Sequence, residues 1–346
     1  MLQNKLIADY KDPFEKQLAG IIIENISTDL YCRKYLTHLL QHAKYYISIY
    51  ADVLDKLLQH SSKSKETISL IDFGAGNGLL GIFAKFCGFK KVFLNDINAT
   101  FMQASEQLAA QLEISLEGYI TGDIEAVQAY FETDAPDAIV GTDVIEHIYN
   151  LETFFECLRQ INPSIASVFT TASNPRNFFK ARSLQKLQLR DELFGGTPED
   201  DILFGDSPLA PFLKIREQII RKQGGELNDK SIAELAKVSR GLIEKDIVKV
   251  VDHYKMSGKL PAAITHRTNT CNPLTGSWTE RILSLNTYTL LYNSAGFTLT
   301  FYNGLFNDYH PGFTRYIKKA LNAAIAIFGN SISPYIILVG IKQVHM

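Results

Sequence analysis

Three glycines follow a short apolar run in the first third of the chain. Residues 68–86 read ISLIDFGAGNGLLGIFAKF, so a predicted strand ends at Asp72 and leads through Gly74, Gly76 and Gly78 into a predicted helix. Because glycine has no Cβ atom, a loop built from it can turn tightly and bring its backbone close to a ligand. The spacing therefore predicts a nucleotide-type cofactor site at the end of this strand.

Two acidic residues accompany the loop and indicate which cofactor it holds. Asp96 ends the next predicted strand, where a carboxylate can accept hydrogen bonds from both hydroxyls of a ribose. Residues 76–81 (GNGLLG) also match the GxGxxG pattern of dinucleotide-binding folds. Asp72 argues against a dinucleotide, and hence against a nicotinamide-dependent dehydrogenase, because a carboxylate two positions before the first glycine attracts a cationic amino group and repels a pyrophosphate.

The segment DFGAGNG (72–78) resembles the first motif of the class I S-adenosylmethionine-dependent methyltransferases, and later segments resemble the further motifs of that superfamily in order. The resemblance covers residues 66–174 and 262–346 and implies methyltransferase activity (EC 2.1.1.-) with S-adenosylmethionine as the cofactor. It places Asp72 at the methionine amine, Asp96 at the ribose and Asp123 at the adenine. The full set of implied cofactor-binding residues is Asp72, Phe73, Gly74, Ala75, Gly76, Gly78, Asp96, Ile97, Asp123, Ile124 and Asp143.

Three groups that can carry protons or bind a metal follow the fourth predicted strand, as D-x-x-E-H over Asp143, Glu146 and His147. Open α/β sheets place their chemistry at the carboxyl ends of parallel strands. An alcohol or phenol must lose its proton when it is methylated, and histidine is the natural base near neutral pH. We therefore predict His147 as the catalytic base with Glu146 beside it; a purely structural role for the pair is the alternative.

The same pattern is similar to the acid-x-x-Glu-His motif of ubiquinone-pathway O-methyltransferases and of small-RNA 3′-end ribose methyltransferases, where it contributes to a divalent metal site. The similarity implies Asp143, Glu146, His147 and His266 as possible ligands, although Asp143 is one methylene shorter than the Glu those families often carry. The motif also occurs in methyltransferases with no known metal. A divalent metal is thus possible but not expected, and no ligand is assigned.

Polar and aromatic residues are dense in 266–281. The predicted substrate contacts there are His266, Arg267, Asn269 and Trp278, and the alternative is a hydrogen-bonded junction with Trp278 packed beneath it. Arg182, Lys186 and Arg190 share one helical face and either contact an anionic substrate or form a solvated face. Tyr45, Tyr46 and Tyr50 either close over the cofactor or belong to a helical core. Cys271 is interpreted as a buried apolar group.

Short apolar runs alternate with amphipathic stretches from residue 68 onward, which predicts βα units and a parallel sheet. The expected fold is α/β: a Rossmann-like, seven-stranded class I methyltransferase sheet with an N-terminal helical cap and a helical insertion after strand five. The expected domains are the cap at 1–65, the first part of the core at 66–174, the insertion at 175–262, and the last part of the core, with strands six and seven, at 263–346. An apolar stripe over 231–258 predicts a helix that stops at Gly258.

The composition narrows the expected partners. The 346 residues include 35 basic and 37 acidic side chains, for a net charge of −2, so no global attraction to nucleic acid or anionic membrane is expected. A small-molecule acceptor, which could be anionic, is favoured over RNA or protein; a cofactor-binding module without transferase activity is a further alternative. The absence of a long apolar run or secretory signal, with four scattered cysteines, indicates a cytoplasmic protein with no membrane partner. The oligomeric state is not predicted.

Overall fold

The computed structural model describes residues 6–26, 29–132, 134–196, 210–225, 227–260, 262, 266–309 and 312–342. It divides into two compact units. The first comprises Met1–Ile145, Asn150–Asn174 and Ser284–Met346, and the second comprises Glu146–Tyr149 and Pro175–Leu283. The expected N-terminal cap thus groups with the sheet. The second unit continues past the expected boundary at 262 because hydrogen bonds tie residues 266–281 to its helices.

The first unit is built on a seven-stranded sheet of order β3-β2-β1-β4-β5-β7-β6. Strands β1 to β5 are parallel, and β7 runs antiparallel to both β5 and β6. This arrangement confirms the predicted fold class. The strands are β1 Ser69–Phe73, β2 Lys91–Asp96, β3 Gly118–Thr121, β4 Ala138–Thr142, β5 Ala166–Thr171, β6 Phe297–Asn303 and β7 Ile336–Lys342.

The helices of the first unit follow the predicted rhythm. Asn98 and Asn150 cap the N-termini of α5 and α7, and each side chain accepts a hydrogen bond from a backbone N–H of the first turn, at 2.9 and 3.1 Å. These helices are α1 Lys11–Leu18, α2 Leu30–Gln41, α3 Ala43–His60, α4 Leu79–Phe86, α5 Ala99–Gln111, α6 Ile124–Tyr130, α7 Leu151–Ile161, α12 Leu285–Ser294 and α13 Phe313–Phe328, with short 3₁₀ turns at Ile7–Tyr10, Ile23–Asn25, Lys65–Thr67 and Gly329–Ser331.

Strand β1 lies where the strand order reverses. Its neighbours are β2 on one side and β4 on the other, with Asp72 paired to Leu94 and to Val140. Every residue of β1 is buried, which fits a central strand of a sheet covered on both faces. Open α/β sheets bind ligands at the carboxyl edge of this reversal. The glycine loop leaves β1 at that edge.

The second unit contains α8 Phe178–Leu193, α9 Phe212–Gly224, α10 Asp229–Val238 and α11 Glu244–Ser257. A 3₁₀ turn at Ile145–His147 begins at the last residue before the chain enters this unit. The prediction of a single helix over 231–258 is wrong, because two helices, α10 and α11, occupy this segment. Gly241 takes a left-handed φ of 76°, and the hydroxyl of Ser239 donates to the carbonyl of Leu235 at 2.7 Å, so the chain turns between α10 and α11. The predicted stop at Gly258 is confirmed, with φ 66°.

A buried ion pair joins the helices of the second unit. Arg216 and Glu192 have side chains 0% and 1% exposed, and the guanidinium donates to Glu192 Oε1. Arg240 Nε donates to the same oxygen at 3.2 Å, and Thr270 Oγ1 donates to Oε2 at 2.8 Å. Because an unpaired buried charge is costly, these partners hold α8, α9 and the 266–281 segment in one register.

Candidate cofactor site

The loop after β1 is shaped by backbone conformations that favour glycine. Gly74, Gly76 and Gly78 have φ values of 65°, 53° and 75°. The backbone N–H of Ala75 donates to the carbonyl of Asn95 at 2.8 Å, which ties the loop to the end of β2. The chain therefore turns three times in the left-handed region before α4 begins.

Two of the three glycines are also required by close packing. A Cβ atom at Gly74 would lie 2.3 Å from Val144 Cγ2, and one at Gly78 would lie 2.5 Å from Leu94 Cδ1. Val144 comes from the turn after β4, and Leu94 comes from β2. The loop is thus held between the two strands that flank β1.

Both predicted acids bond to the loop and the helix that follows it. Asp96 Oδ2 accepts from Gly76 N–H at 2.9 Å, and its Oδ1 accepts from Asn98 N–H at 2.9 Å. Asp72 Oδ2 accepts from Gly81 N–H at 2.8 Å, within the first turn of α4. A carboxylate at this end of a helix is stabilised by the unpaired N–H groups and the helix dipole.

The electrostatics of these two carboxyls favour a cation. Burial raises the pKa of Asp72 to about 7; the hydrogen bond from Gly81 opposes this increase and the charge of Asp96 adds to it. Burial also raises the pKa of Asp96, against hydrogen bonds from the N–H groups of Asn98, Gly76 and Ile97. Each carboxyl therefore pays a solvation cost for its charge that a nearby cation would offset.

A tyrosine outside the predicted set lies over the loop. A Cβ atom at Gly76 would be 3.1 Å from Cε1 of Tyr35, which comes from α2. Tyr35 packs against Tyr31 and Phe101, with ring centroids 6.1 and 5.7 Å away. The i, i+4 spacing of the two tyrosines on α2 was a visible signal for one shared face, but not for its contact with the loop.

Asp143 sits in a left-handed turn at the carboxyl end of β4. Its φ is 51°, its side chain is exposed, and its N–H donates to the carbonyl of Thr170 at 3.2 Å. Burial, followed by the charge of Asp143, raises the pKa of Tyr35, Tyr45 and Tyr46. These phenols therefore stay protonated at neutral pH in the field of a carboxylate. Tyr50 is buried in α3, so it belongs to the core.

The residues predicted for the adenine lie beyond β2 and β3. Asn95 Nδ2 donates to the carbonyls of Ile120 and Gly122, at 3.1 and 3.0 Å, which joins the two strand ends. Asp123 is exposed and caps α6, accepting from Ala126 N–H at 3.3 Å. Two apolar side chains differ here: Ile124 is buried, whereas Ile97 is 74% exposed next to Asp96.

His147 and Glu146 belong to the second unit, whereas Asp143 belongs to the first. His147 Nδ1 lies 2.7 Å from the carbonyl oxygen of Trp278. Because a carbonyl only accepts, Nδ1 carries the proton, and Nε2 of the neutral ring keeps its lone pair. Glu146 is fully buried, and its carbonyl accepts from the N–H of Arg281 at 3.2 Å.

The 266–281 segment uses most of its polar groups within its own unit. Asn269 is buried and bonds through both side-chain atoms to Gln188 and to the backbone of Ile282. Trp278 donates from Nε1 to the carbonyl of Tyr149 at 3.1 Å and stacks on that ring at an interplanar angle of 17°. These contacts favour the alternative of a hydrogen-bonded junction. Burial raises the pKa of Cys271 to about 12, so its thiol is not activated.

The remaining candidates divide between surface and interior. Arg267 is exposed, and so are Arg182 and Lys186 on α8. Arg190 instead pairs with Asp191 at 3.1 Å. His266 Nδ1 accepts from Asn269 N–H at 3.1 Å, and burial followed by the charge of Arg281 lowers its pKa.

The possible metal ligands do not gather in the part of the chain that the structure describes. No group of three His, Cys, Asp or Glu side chains there is placed to hold a metal ion. The N–H of Asn269 already occupies Nδ1 of His266.

The chain is similar in sequence or in structure to several known methyltransferases. No family model matches the chain. Over 112 residues it is 30% identical to the human mitochondrial ubiquinone biosynthesis O-methyltransferase, a match that spans 31% of this chain and 29% of that protein. Among solved structures, an Archaeoglobus fulgidus S-adenosylmethionine-dependent methyltransferase covers 89% of this chain and is itself covered to 99%, with 10% identity and a TM-score of 0.44. An S-adenosylmethionine-dependent methyltransferase from Mesorhizobium loti covers 83% of this chain and is itself covered to 96%, with 9% identity and a TM-score of 0.39.

The strand order carries the assignment of the fold. Five parallel strands, reversed at β1 and closed by an antiparallel β7, form the sheet of the class I methyltransferases. The chain therefore has the fold of the class I S-adenosylmethionine-dependent methyltransferases, and its similarity to an O-methyltransferase over 112 residues agrees with the resemblance seen in the sequence. The matched segment spans less than a third of that relative's length.

Substituting Gly74 tests the steric account of the loop. Gly74→Ala should lower the free energy of unfolding by about 1–3 kcal/mol more than Gly88→Ala does. Both positions have a left-handed φ, but a Cβ atom at Gly88 would meet nothing within 4 Å, so Gly88→Ala carries only the conformational cost. Urea unfolding followed by circular dichroism measures the difference. Equal losses in the two variants would contradict the close packing against Val144.

Proposed function

We propose that this protein transfers a methyl group from S-adenosylmethionine to an oxygen of a small-molecule acceptor. The observation that carries the proposal is a pair of buried carboxyls at the reversal point of a class I methyltransferase sheet: Asp96 accepts from the left-handed glycine loop, and Asp72 accepts from the first turn of the helix that follows it. S-adenosylmethionine carries an ammonium and a sulfonium charge. The carboxyls of Asp72 and Asp96 could therefore stabilise the positive charges of this ligand.

The geometry is compatible with one role for each predicted residue. Each carboxylate oxygen has two lone pairs, so the oxygens of Asp96 that hold Gly76 and Asn98 can also accept from ribose hydroxyls. Asp72 can pair with the methionine ammonium. The exposed Ile97 and Asp123 would meet the adenine by its face and by its amino group.

His147 is suited to remove the acceptor's proton. Its Nδ1–H bond to Trp278 fixes the tautomer that leaves Nε2 free to accept. S-adenosylmethionine would supply the methyl group, and Nε2 of His147 would accept the hydroxyl proton as the acceptor oxygen bonds to the methyl carbon and the sulfur–carbon bond breaks. The products are the methyl ether, neutral S-adenosylhomocysteine and protonated His147. The O-methyltransferase relative supports oxygen as the accepting atom.

We further propose a cytoplasmic location. All four cysteines are free and buried, which is compatible with a reducing compartment. Methylation of RNA or protein, and cofactor binding without transfer, are the rival functions that the experiments below distinguish.

The affinity for S-adenosylmethionine should depend on pH through Asp72. The pKa of this carboxyl is about 7 in the folded protein, above its value of about 4 in an unfolded chain. Between about pH 4 and pH 7, Asp72 is protonated in the folded protein but ionised in the unfolded chain. The stability that the protonated carboxyl contributes is therefore complete below about pH 4 and is lost as pH rises through 7. The ammonium of the ligand needs the ionised form, so the dissociation constant should fall several-fold between pH 6 and pH 7.5.

Calorimetric titration across this pH range makes the measurement, with Asp72→Asn as the matched variant. The asparagine keeps an oxygen for Gly81 N–H but cannot ionise, so it should bind more weakly and with a flat pH profile. A wild-type affinity that does not change with pH would contradict the assignment of Asp72 to the ligand's amine.

Replacing His147 should impair transfer without impairing cofactor binding. His147→Gln removes the base, so kcat should fall by about 10²- to 10⁴-fold, while the dissociation constant of S-adenosylmethionine stays within twofold. Release of S-adenosylhomocysteine with a panel of phenols, catechols and alcohols gives the rate, and His253→Gln, at an exposed position on α11, is the control. Unchanged turnover in His147→Gln would contradict the role of His147 as the catalytic base. Cofactor binding with no turnover on the panel would favour a rival function.

A further inference from the structure

Helix α13 carries an apolar face that the first unit leaves exposed. In sequence, the helix follows β6 and precedes β7. Ile325 is its one buried residue over the fully described span Phe313–Phe328. Phe313 is 78% exposed, Ile327 is 79% exposed, and Tyr316, Ile317 and Phe328 are exposed as well. Large apolar side chains are rarely exposed together along one helix unless that face binds something.

The exposed residues fall on one side of the helix. Exposed apolar residues occur at positions 313, 316, 317, 320, 327 and 328, with half-buried Ala324 among them, which is the i, i+3, i+4, i+7 spacing of an apolar stripe. The other side holds the helix to its unit: Asn322 Oδ1 accepts from Phe306 N–H at 2.7 Å, and its Nδ2 donates to the Phe306 carbonyl at 3.1 Å. The stripe therefore faces away from the unit that anchors the helix.

The charge around this stripe is positive. Arg315, Lys318 and Lys319 lie on α13, which has no acidic residue, and Asp308 is the single acid in the whole segment from 282 to 342. The chain as a whole has a net charge of −2, so this local excess of basic residues is not a property of the composition. Basic residues beside an apolar stripe are complementary to a surface that has negative charges on the outside and an apolar layer underneath them.

We propose that α13 binds the surface of an anionic lipid bilayer, lying in the plane of the membrane with its apolar stripe among the acyl chains. No helix in the described residues is long and apolar enough to span a bilayer, and a helix in the interface needs no such length. Leu305 and Tyr309, in the loop before α13, are exposed as well. Anionic lipids and basic side chains then attract each other along the flank.

A second copy of the chain fits the same face less well. Pairing two α13 stripes would bring their basic flanks together, and the helix carries no Asp or Glu to compensate them. The proposal replaces the expectation that the protein has no membrane partner. It does not depend on the methyl-transfer function.

Co-sedimentation of the full chain with vesicles tests the proposal. The protein should bind vesicles of equal parts phosphatidylglycerol and phosphatidylcholine at least tenfold more strongly than vesicles of phosphatidylcholine alone. The double variant Phe313→Ser, Ile327→Ser should lose about tenfold or more of that binding, because both side chains would be buried in the acyl region. Lys319→Gln should weaken binding to the anionic vesicles and leave the weak binding to neutral vesicles unchanged.

Met256→Ser is the matched control, since Met256 is 88% exposed on α11 in the other unit. It should bind as the wild type does. Circular dichroism should show the same spectrum and unfolding midpoint for all variants, because every substituted side chain is exposed. Failure to bind anionic vesicles, or an equal loss in Met256→Ser, would overturn the proposal. So would a dimer in light scattering that Phe313→Ser, Ile327→Ser dissociates in the absence of vesicles, which would assign the face to a second copy.

Discussion

Two carboxyl groups buried beneath a loop of glycines are the constraint on which the cofactor site depends. Asp72 and Asp96 are 2% and 9% exposed, and each is satisfied by backbone N–H groups of the loop or of the helix that follows. A buried carboxylate without such partners is costly, so the loop must present its N–H groups inward. The left-handed turns at the glycines achieve this.

The rest of the first unit supports that loop from three directions. The parallel register sets Asp72 beside Leu94 and Val140, so the ends of β2 and β4 border the loop. Val144 and Leu94 leave no room for a side chain at two of the glycines. Helix α2 adds the ring of Tyr35 over the third, so one of the N-terminal helices packs directly against the loop.

Much of this arrangement could be predicted from the sequence because it depends on local chemistry. Alternating apolar runs predicted the sheet, and the D-x-G-x-G-x-G spacing of Asp72 and the three glycines predicted the loop. The break between α10 and α11 was missed, since an apolar stripe continued on both sides of Gly241. Contacts distant in sequence were also hidden: the bond between His147 and Trp278 joins residues 131 apart. The sequence pattern could not show that the apolar face of α13 is exposed.

The central claim is that the acidic glycine loop binds S-adenosylmethionine, and isothermal titration calorimetry of the wild type and Asp96→Ala with this ligand, and with NADH for comparison, tests it most directly. The account predicts micromolar binding of S-adenosylmethionine to the wild type, at least a tenfold loss in Asp96→Ala, and no heat of binding with NADH. Binding of NADH, or the same affinity for S-adenosylmethionine in both proteins, would contradict it.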